Sequence, residues 1–208
     1  MKYEEIELTI PTDWNDITIG MYQDFVRINK KKFDSDEERT AELICALCKV
    51  EQNKLERFKY KDLKYIVKKI SKLMDSEIDD KTLVKKLDFK GSKLGLIPNF
   101  SSITLGEFVD IEDYCKDAYS NLHKLMSVMY RPIVKEKGDR YKIEEYSPDE
   151  FKAEEYLDFP IVASMSSLSF FFHLGKQLKL ALLKYSSREV EKKIKRLERL
   201  QRSGVGIM

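Results

Sequence analysis

Residues 120–143 read SNLHKLMSVMYRPIVKEKGDRYKI and contain the clearest change of secondary structure in the chain. Ser120–Tyr130 is predicted to be helical. The Arg131-Pro132 step must end this helix, because proline disfavours helical geometry in the residue before it. The residues after it, with a turn at Lys137–Asp139 and a second strand at Arg140–Ile143, predict a β-hairpin. The stretch therefore predicts a helix followed directly by two short strands.

A second hairpin is predicted upstream, where Leu87–Phe89 and Leu94–Ile97 flank the turn Lys90–Ser92. Serine or threonine caps, or an early proline, mark most helix starts elsewhere. The predicted helices run from Thr18 to about Lys32, from Ser35 through Cys48, from about Lys61 to Met74, from Thr104 to about Lys116, from Ser147, from Pro160 to about Leu183, and from Ser187 to Arg202. Glu5–Ile10 predicts a short edge strand.

These elements predict a mainly α fold. Residues 1–186 are predicted to form a helical domain with one or two small β-hairpins, and residues 187–208 a charged C-terminal helix with a short tail. Two helix starts, Ile17–Asp24 and Ile103–Asp110, share a threonine cap, a glycine, an aromatic residue and an aspartate at matching offsets. The same capping chemistry explains this similarity, and two related helical units are the alternative.

The composition, with 42% hydrophobic and 36% charged residues, is typical of a folded chain with solvated helix faces. A net charge of +2 argues against general nucleic-acid binding. Three cysteines do not make a secreted disulfide framework, and the N-terminus does not resemble a signal peptide. The most apolar stretch, Phe159–Leu174, is short for a membrane span and is predicted to be a buried helix. We therefore expect a protein of the reducing cytoplasm, without a membrane partner.

No catalytic constellation stands out. Each of the two histidines, His123 and His173, lies among apolar neighbours without a catalytic partner, so a packed position is the expected one. Cys45 and Cys48 form a C-x-x-C pair late in a predicted helix. A second pair that could complete a zinc site does not occur in the sequence. Phosphate-binding glycine loops are absent as well. We therefore predict a non-enzymatic protein with no cofactor, metal or small-molecule substrate.

The predicted C-terminal helix is the best candidate for an interaction. Seven basic and three acidic residues fall between Arg188 and Arg202 and surround a narrow apolar stripe. Such a stripe fits a partner helix or the protein's own core, whereas its narrowness and lack of aromatic residues argue against membrane docking. The tail is either frayed or inserts into a neighbouring subunit. The candidate subunit-interface residues are Val190, Ile194, Leu197, Leu200, Gln201, Val205, Ile207 and Met208.

Several segments, spread from about Pro11 to Lys179, resemble one family. They are Trp14–Asp24, Gly95–Phe100 with Ile103–Asp110, Asn121–Met126 with Tyr130–Ile133, Gly138–Tyr141 with Glu145-Tyr146, and Phe159–Gly175. In order and spacing they are similar to virion or tail-assembly proteins of tailed bacteriophages, including crAss-like and related phages. The resemblance implies a place in the phage particle or in its assembly in the host bacterial cytoplasm. It does not extend to the charged segment after Tyr185.

Three functional hypotheses follow. The first is a virion structural protein near the head–tail junction or in the tail. It would form a ring with copies of itself and contact other virion proteins. The second is a tail-assembly chaperone that is not retained in the virion. The third is a nucleic-acid-binding factor that uses the basic C-terminal helix.

Overall fold

The computed structural model describes residues 8–148, 153–176, 191, 192 and 195. The helices are α1 (Ile19–Lys30), α2 (Asp36–Cys48), α3 (Gln52–Leu55), α4 (Tyr60–Met74), α5 (Leu105–Cys115), α6 (Leu122–Met129) and α7 (161–176). The strands are β1 (Lys86–Phe89), β2 (Ser92–Leu96), β3 (Tyr130–Lys137) and β4 (Arg140–Ile143). Short 3-10 helices cover Trp14–Asp16, Phe100–Ser102 and Ala153–Asp158. The chain divides into two compact units, Met1–Ser167 and Leu168–Met208.

The predicted mainly α fold class is wrong, because the described residues form a mixed fold around a four-stranded antiparallel sheet. Both predicted hairpins are present, as β1–β2 and β3–β4. They join through three paired positions, of which Gly95 opposite Arg131 is the central one. The strand order is therefore β1-β2-β3-β4. The prediction failed because this central pairing links segments that are far apart in the sequence.

The two hairpin turns lie where they were predicted, but each is shorter than predicted, because Ser92 already belongs to β2 and Lys137 still belongs to β3. Lys90 and Gly91 both have positive φ, at 46° and 80°, which is the geometry of a two-residue type I′ turn. Gly138 has a φ of 58° and begins the second turn. A glycine at that place matches the right-handed twist of the flanking strands without steric cost.

Helix α6 ends one residue earlier than predicted, at Met129, and Tyr130 already belongs to β3. Pro132 restricts Arg131 to extended geometry, so the chain passes from helix to strand without a loop. Almost every α6 side chain is buried, which makes this helix the centre of the first unit. The start of α1 is hydrogen-bonded to the start of α7: Ile19 N donates to Phe159 O at 2.9 Å, and Ile161 N donates to Ile17 O at 3.0 Å.

Three of the predicted helix caps, Thr18, Ser35 and Thr104, are confirmed. The side chains of Thr18 and Thr104 each accept a hydrogen bond from the backbone three residues on, as the capping chemistry shared by these two helix starts predicts, and Ser35 does the same. Helix α3 was not predicted. Residues 8–10 carry no regular structure, and the rest of the predicted edge strand lies outside the described residues.

Two predictions near the C-terminus fall largely outside the described residues. The helix predicted from Ser147 covers residues 149–152, which are not described, and Ala153–Asp158 is a 3-10 helix. In the helix predicted from Ser187, only residues 191, 192 and 195 are described, and they are helical. The predicted boundary between residues 186 and 187 also lies outside the described residues.

Gly95 is required where the ring of Tyr141 crosses β2. A Cβ atom at this position would lie 2.5 Å from Cε2 and 2.8 Å from Cδ2 of Tyr141. The Tyr141 hydroxyl donates to Leu96 O at 2.7 Å, so the ring is fixed from its other end. We expect Gly95→Ala to lower the free energy of unfolding by about 1–3 kcal/mol, measured by urea denaturation.

Gly106 in α5 is the matched control for this substitution. A Cβ atom there would meet Tyr146 at an ordinary 3.6 Å. Because alanine favours a helix over glycine, Gly106→Ala should keep or raise stability, by up to about 1 kcal/mol. Equal urea midpoints for the two variants would contradict the proposed role of Gly95.

Candidate interaction surfaces

Helix α5 begins with a complete capping box. The Thr104 backbone N–H donates to Glu107 Oε2 at 2.6 Å, and the Glu107 backbone N–H donates to Thr104 Oγ1 at 3.2 Å. The reciprocal bonds fix the Glu107 carboxylate on the inner side of the first turn. Glu107 is only 4% exposed, so this carboxylate needs a compensating partner.

That partner is Arg131, which β3 presents at its second residue. Arg131 Nη2 donates to Glu107 Oε1 at 2.5 Å, and the two side chains are 11% and 6% exposed. Burial alone would raise the pKa of Glu107. Hydrogen bonds from Thr104 and the Arg131 guanidinium outweigh burial and hold this pKa below its ordinary value. The ion pair therefore ties the first turn of α5 to the centre of the sheet.

A second polar contact holds the next turn of α5. The Tyr146 hydroxyl donates to the Asp110 carboxylate, and the Tyr146 ring centroid lies 5.5 Å from the Arg131 guanidinium carbon. Burial, and then the bond to Asp110, raise the pKa of Tyr146, so the hydroxyl stays a donor at neutral pH. Helix α5 is thus attached by Glu107 and Asp110 to β3 and to the segment after β4.

The outer face of α5 is apolar and exposed. Leu105 is 79% exposed, Phe108 51% and Val109 50%. The spacing i, i+3, i+4 places them side by side, and we call these three residues the α5 stripe. A single exposed apolar side chain is ordinary on a protein surface, but a contiguous group indicates a contact site.

The α5 stripe was not predicted from the sequence, although a signal for it exists. Ile111 is buried on the inner face of the same helix, so α5 carries apolar residues on two faces. A helix that serves only its own core needs one apolar face. The second apolar face of α5 is therefore a feature that can be detected in the sequence.

A second apolar surface is the groove between α2 and α4, a cavity of about 510 Å³. Ile44 of α2 and Leu55 of α3 are buried at its floor. Half-buried walls come from Ala41, Leu63 and Val67. Tyr60 forms part of its edge and is 73% exposed. We call this surface the α2–α4 groove.

The predicted subunit-interface residues, Val190, Ile194, Leu197, Leu200, Gln201, Val205, Ile207 and Met208, lie outside the described residues. Their assignment remains a prediction.

The two histidines have different surroundings. His123 is 8% exposed, and its Nδ1 lies 3.2 Å from Nε2 of Gln23, so the packed position predicted for it is confirmed. The packed position predicted for His173 is wrong, because His173 is exposed. Burial along α7 continues only to Leu168, and Phe170 and Phe172 beyond it are also exposed, so the prediction of a buried helix holds for its first part alone.

The cysteine pair lies in the last turn of α2, as predicted. Cys48 is buried, and burial raises its pKa to about 11. Burial also raises the pKa of Cys45. Both thiols therefore remain protonated at neutral pH, which is the less reactive form.

Among the residues that the structure describes, groups of three or more His, Cys, Asp or Glu side chains suited to a metal ion are absent. Within the same part of the chain, none of the helices is both long enough and apolar enough to span a membrane.

Comparison with known proteins gave no relative: no protein-family model, curated protein or solved structure matches this chain.

Proposed function

We propose that this chain is a non-enzymatic structural component of a tailed bacteriophage particle. In this proposal it is a ring-forming subunit at the head–tail junction or in the tail, assembled in the host bacterial cytoplasm. The observation that carries the proposal is the α5 stripe. The proposal also draws on the resemblance, whose segment Ile103–Asp110 includes this stripe.

The energetics of the α5 stripe favour a permanent contact. Full burial of a large apolar side chain contributes about 1.5–3 kcal/mol, and the stripe offers three such side chains side by side. Because these side chains are 50–79% exposed, a neighbouring virion protein or another copy of the chain that covers them gains roughly half of this contribution or more for each.

The attachment of α5 makes the stripe suitable for a repeating assembly. The Glu107–Arg131 ion pair and the Asp110–Tyr146 bond hold the inner face of the helix at two successive turns. A surface that is already ordered loses little conformational entropy when a partner covers it. A ring also requires every subunit to present the contact at the same angle, and a fixed helix does so.

The test is incorporation into particles of the phage that encodes the chain. We expect the triple variant Leu105→Gln, Phe108→Gln, Val109→Gln to fold but to enter purified particles at least about tenfold less than wild type, because a loss of about 1.4 kcal/mol in binding corresponds to tenfold. Glutamine favours the helix, so the change acts on the surface. Quantitative mass spectrometry of particles measures incorporation, and circular dichroism of the purified variant checks folding.

The matched control is Tyr65→Gln, which removes an exposed apolar side chain from α4, away from the α5 stripe. It should be incorporated like wild type. Wild-type incorporation of the triple variant would show that the stripe is not the contact. Absence of the wild-type chain from clean particles would overturn the structural role and favour an assembly chaperone.

A further inference from the structure

The α2–α4 groove has the shape of a receptor for a helix. Its floor and walls are apolar, as in other grooves that receive the apolar face of an amphipathic helix. Helix α4 has 15 residues, so the groove side of this helix is about 22 Å long. An occupant helix of about four turns would match that length.

The two edges of the groove carry opposite charge. Asp36 and Glu37, in the first turn of α2, line one edge. Lys64 and Lys68 of α4 line the other. The Lys64 ammonium lies 4.7 Å from the ring centroid of Tyr60, so it stands directly above the apolar part of this edge. A helix that fits the groove therefore needs an acidic and a basic flank beside its apolar stripe.

The segment Ser187–Arg202 has this pattern in its sequence. Val190, Ile194 and Leu197 form the apolar stripe predicted for it. At helical spacing Glu191 and Glu198 follow the stripe on one flank, and Lys193 lies on the opposite flank. Residues 191, 192 and 195 are helical, and Glu191 is exposed. Sixteen residues make a helix about 24 Å long, close to the length of α4.

We propose that Ser187–Arg202 of one copy of the chain occupies the α2–α4 groove of a second copy. The stripe covers Ala41, Leu63 and Val67. Glu191 and Glu198 lie along Lys64 and Lys68, and Lys193 lies near Asp36 and Glu37.

This inference rests on the proposed role as a ring subunit and names the surfaces that join neighbouring copies. The contact is head-to-tail, because the helix of one subunit meets a different surface, the groove, of the next. Contacts of this kind generate a ring when the rotation between neighbours closes. The α5 stripe remains available for another protein of the particle.

A charge-reversal experiment on the full chain tests the inference. The groove variant carries Lys64→Glu and Lys68→Glu, and the helix variant carries Glu191→Lys and Glu198→Lys. Sedimentation velocity measures the self-association of wild type, of each variant alone and of an equal mixture of the two. The matched control is Lys61→Glu with Lys72→Glu, which makes the same charge change on exposed positions of α4 that do not line the groove.

We expect wild type and the control to self-associate, and each variant alone to associate at least about tenfold more weakly, because like charges face each other in the contact. In the mixture, association should return. The reversed groove of one variant accepts the reversed helix of the other, and the remaining native groove accepts the remaining native helix. Circular dichroism confirms that every variant is folded.

Three results would overturn the inference. The first is a wild-type chain that stays monomeric, as it would if Ser187–Arg202 docked within its own chain. The second is a pair of variants that each associate like wild type. The third is an equal mixture of the two variants that stays dissociated. These results leave the proposed function separately testable. A chain found in particles but monomeric in solution would refute only the groove contact. A chain that associates through the groove but is absent from particles would refute only the particle role.

Discussion

Replacing Arg131 with methionine is expected to lower the free energy of unfolding by about 3–5 kcal/mol, the range for a buried ion pair that loses one partner. The substitution leaves the Glu107 carboxylate, whose side chain is 6% exposed, without its counter-charge. The hydrogen bonds with Thr104 remain but do not replace a guanidinium. Equilibrium urea denaturation followed by circular dichroism measures the loss.

The double variant Glu107→Gln, Arg131→Met is the control. It removes both charges, so a buried charge is no longer left alone, and much of the lost stability should return. Arg131 Nε and Nη1 are buried without a hydrogen-bond partner among the described residues, so the wild-type pair already carries an unrecovered desolvation cost. The single variants Arg131→Met and Glu107→Gln each have their own loss of unfolding free energy. If the loss in the double variant equalled the sum of these two losses, Glu107 and Arg131 would not be energetically coupled.

Acid should reduce the effect of Arg131→Met. The pKa of Glu107 is lowered in the folded chain from an ordinary value of 4.5. A carboxyl group whose pKa is lowered by folding stabilises the folded chain at pH values above its pKa in the unfolded chain. This contribution is lost as the pH falls through its pKa in the folded chain. The difference in stability between wild type and Arg131→Met should therefore be full near pH 6 and should shrink below about pH 4.5.

The role of Arg131 was partly predictable. Pro132 marks the end of a helix in the sequence, and an arginine at that end is expected to reach the terminal carbonyls or a carboxylate. The structure shows a carboxylate contact. Local sequence could not identify Glu107 as the partner, because the two residues meet only after β2 and β3 have paired and α5 has packed against them.

The same distinction between local and distant interactions separates the correct fold predictions from the wrong one. The turns at Lys90-Gly91 and at Gly138 have local sequence signals, and both hairpins were predicted. The pairing of Gly95 with Arg131 joins them into one sheet. The space that Tyr141 occupies over Gly95 explains why a glycine lies there, but this reason is visible only once the strands are adjacent.

The α5 stripe was accessible from sequence in part. The threonine cap and the helix were predicted, and the apolar residues of α5 exceed what one buried face needs. Which face lies outward depends on Glu107, whose burial against Arg131 turns Leu105, Phe108 and Val109 to the surface. The α2–α4 groove was not accessible, because its lining brings together residues of α2, α3 and α4, and α3 was not predicted.

Phe159→Ala should lower the free energy of unfolding by about 3–5 kcal/mol. This loss is similar in size to that expected for Arg131→Met, but its mechanism is different. Phe159 is fully buried, and its ring centroid lies 5.0 Å from Tyr130, 5.4 Å from Phe89 and 5.6 Å from Tyr156. These rings come from β3, β1 and the 3-10 helix before α7. Truncation opens a cavity where three elements meet, and aromatic neighbours fixed by the backbone cannot fill it.

Phe108→Ala is the same substitution at the exposed α5 stripe. It should change the free energy of unfolding by no more than about 0.5 kcal/mol, because Phe108 is 51% exposed. Thermal and urea denaturation of the two variants therefore separate residues that stabilise the fold from residues available for a partner. If Phe108→Ala destabilised the isolated chain as strongly as Phe159→Ala, the α5 stripe would belong to the protein's own core, and a partner would not be needed to explain it.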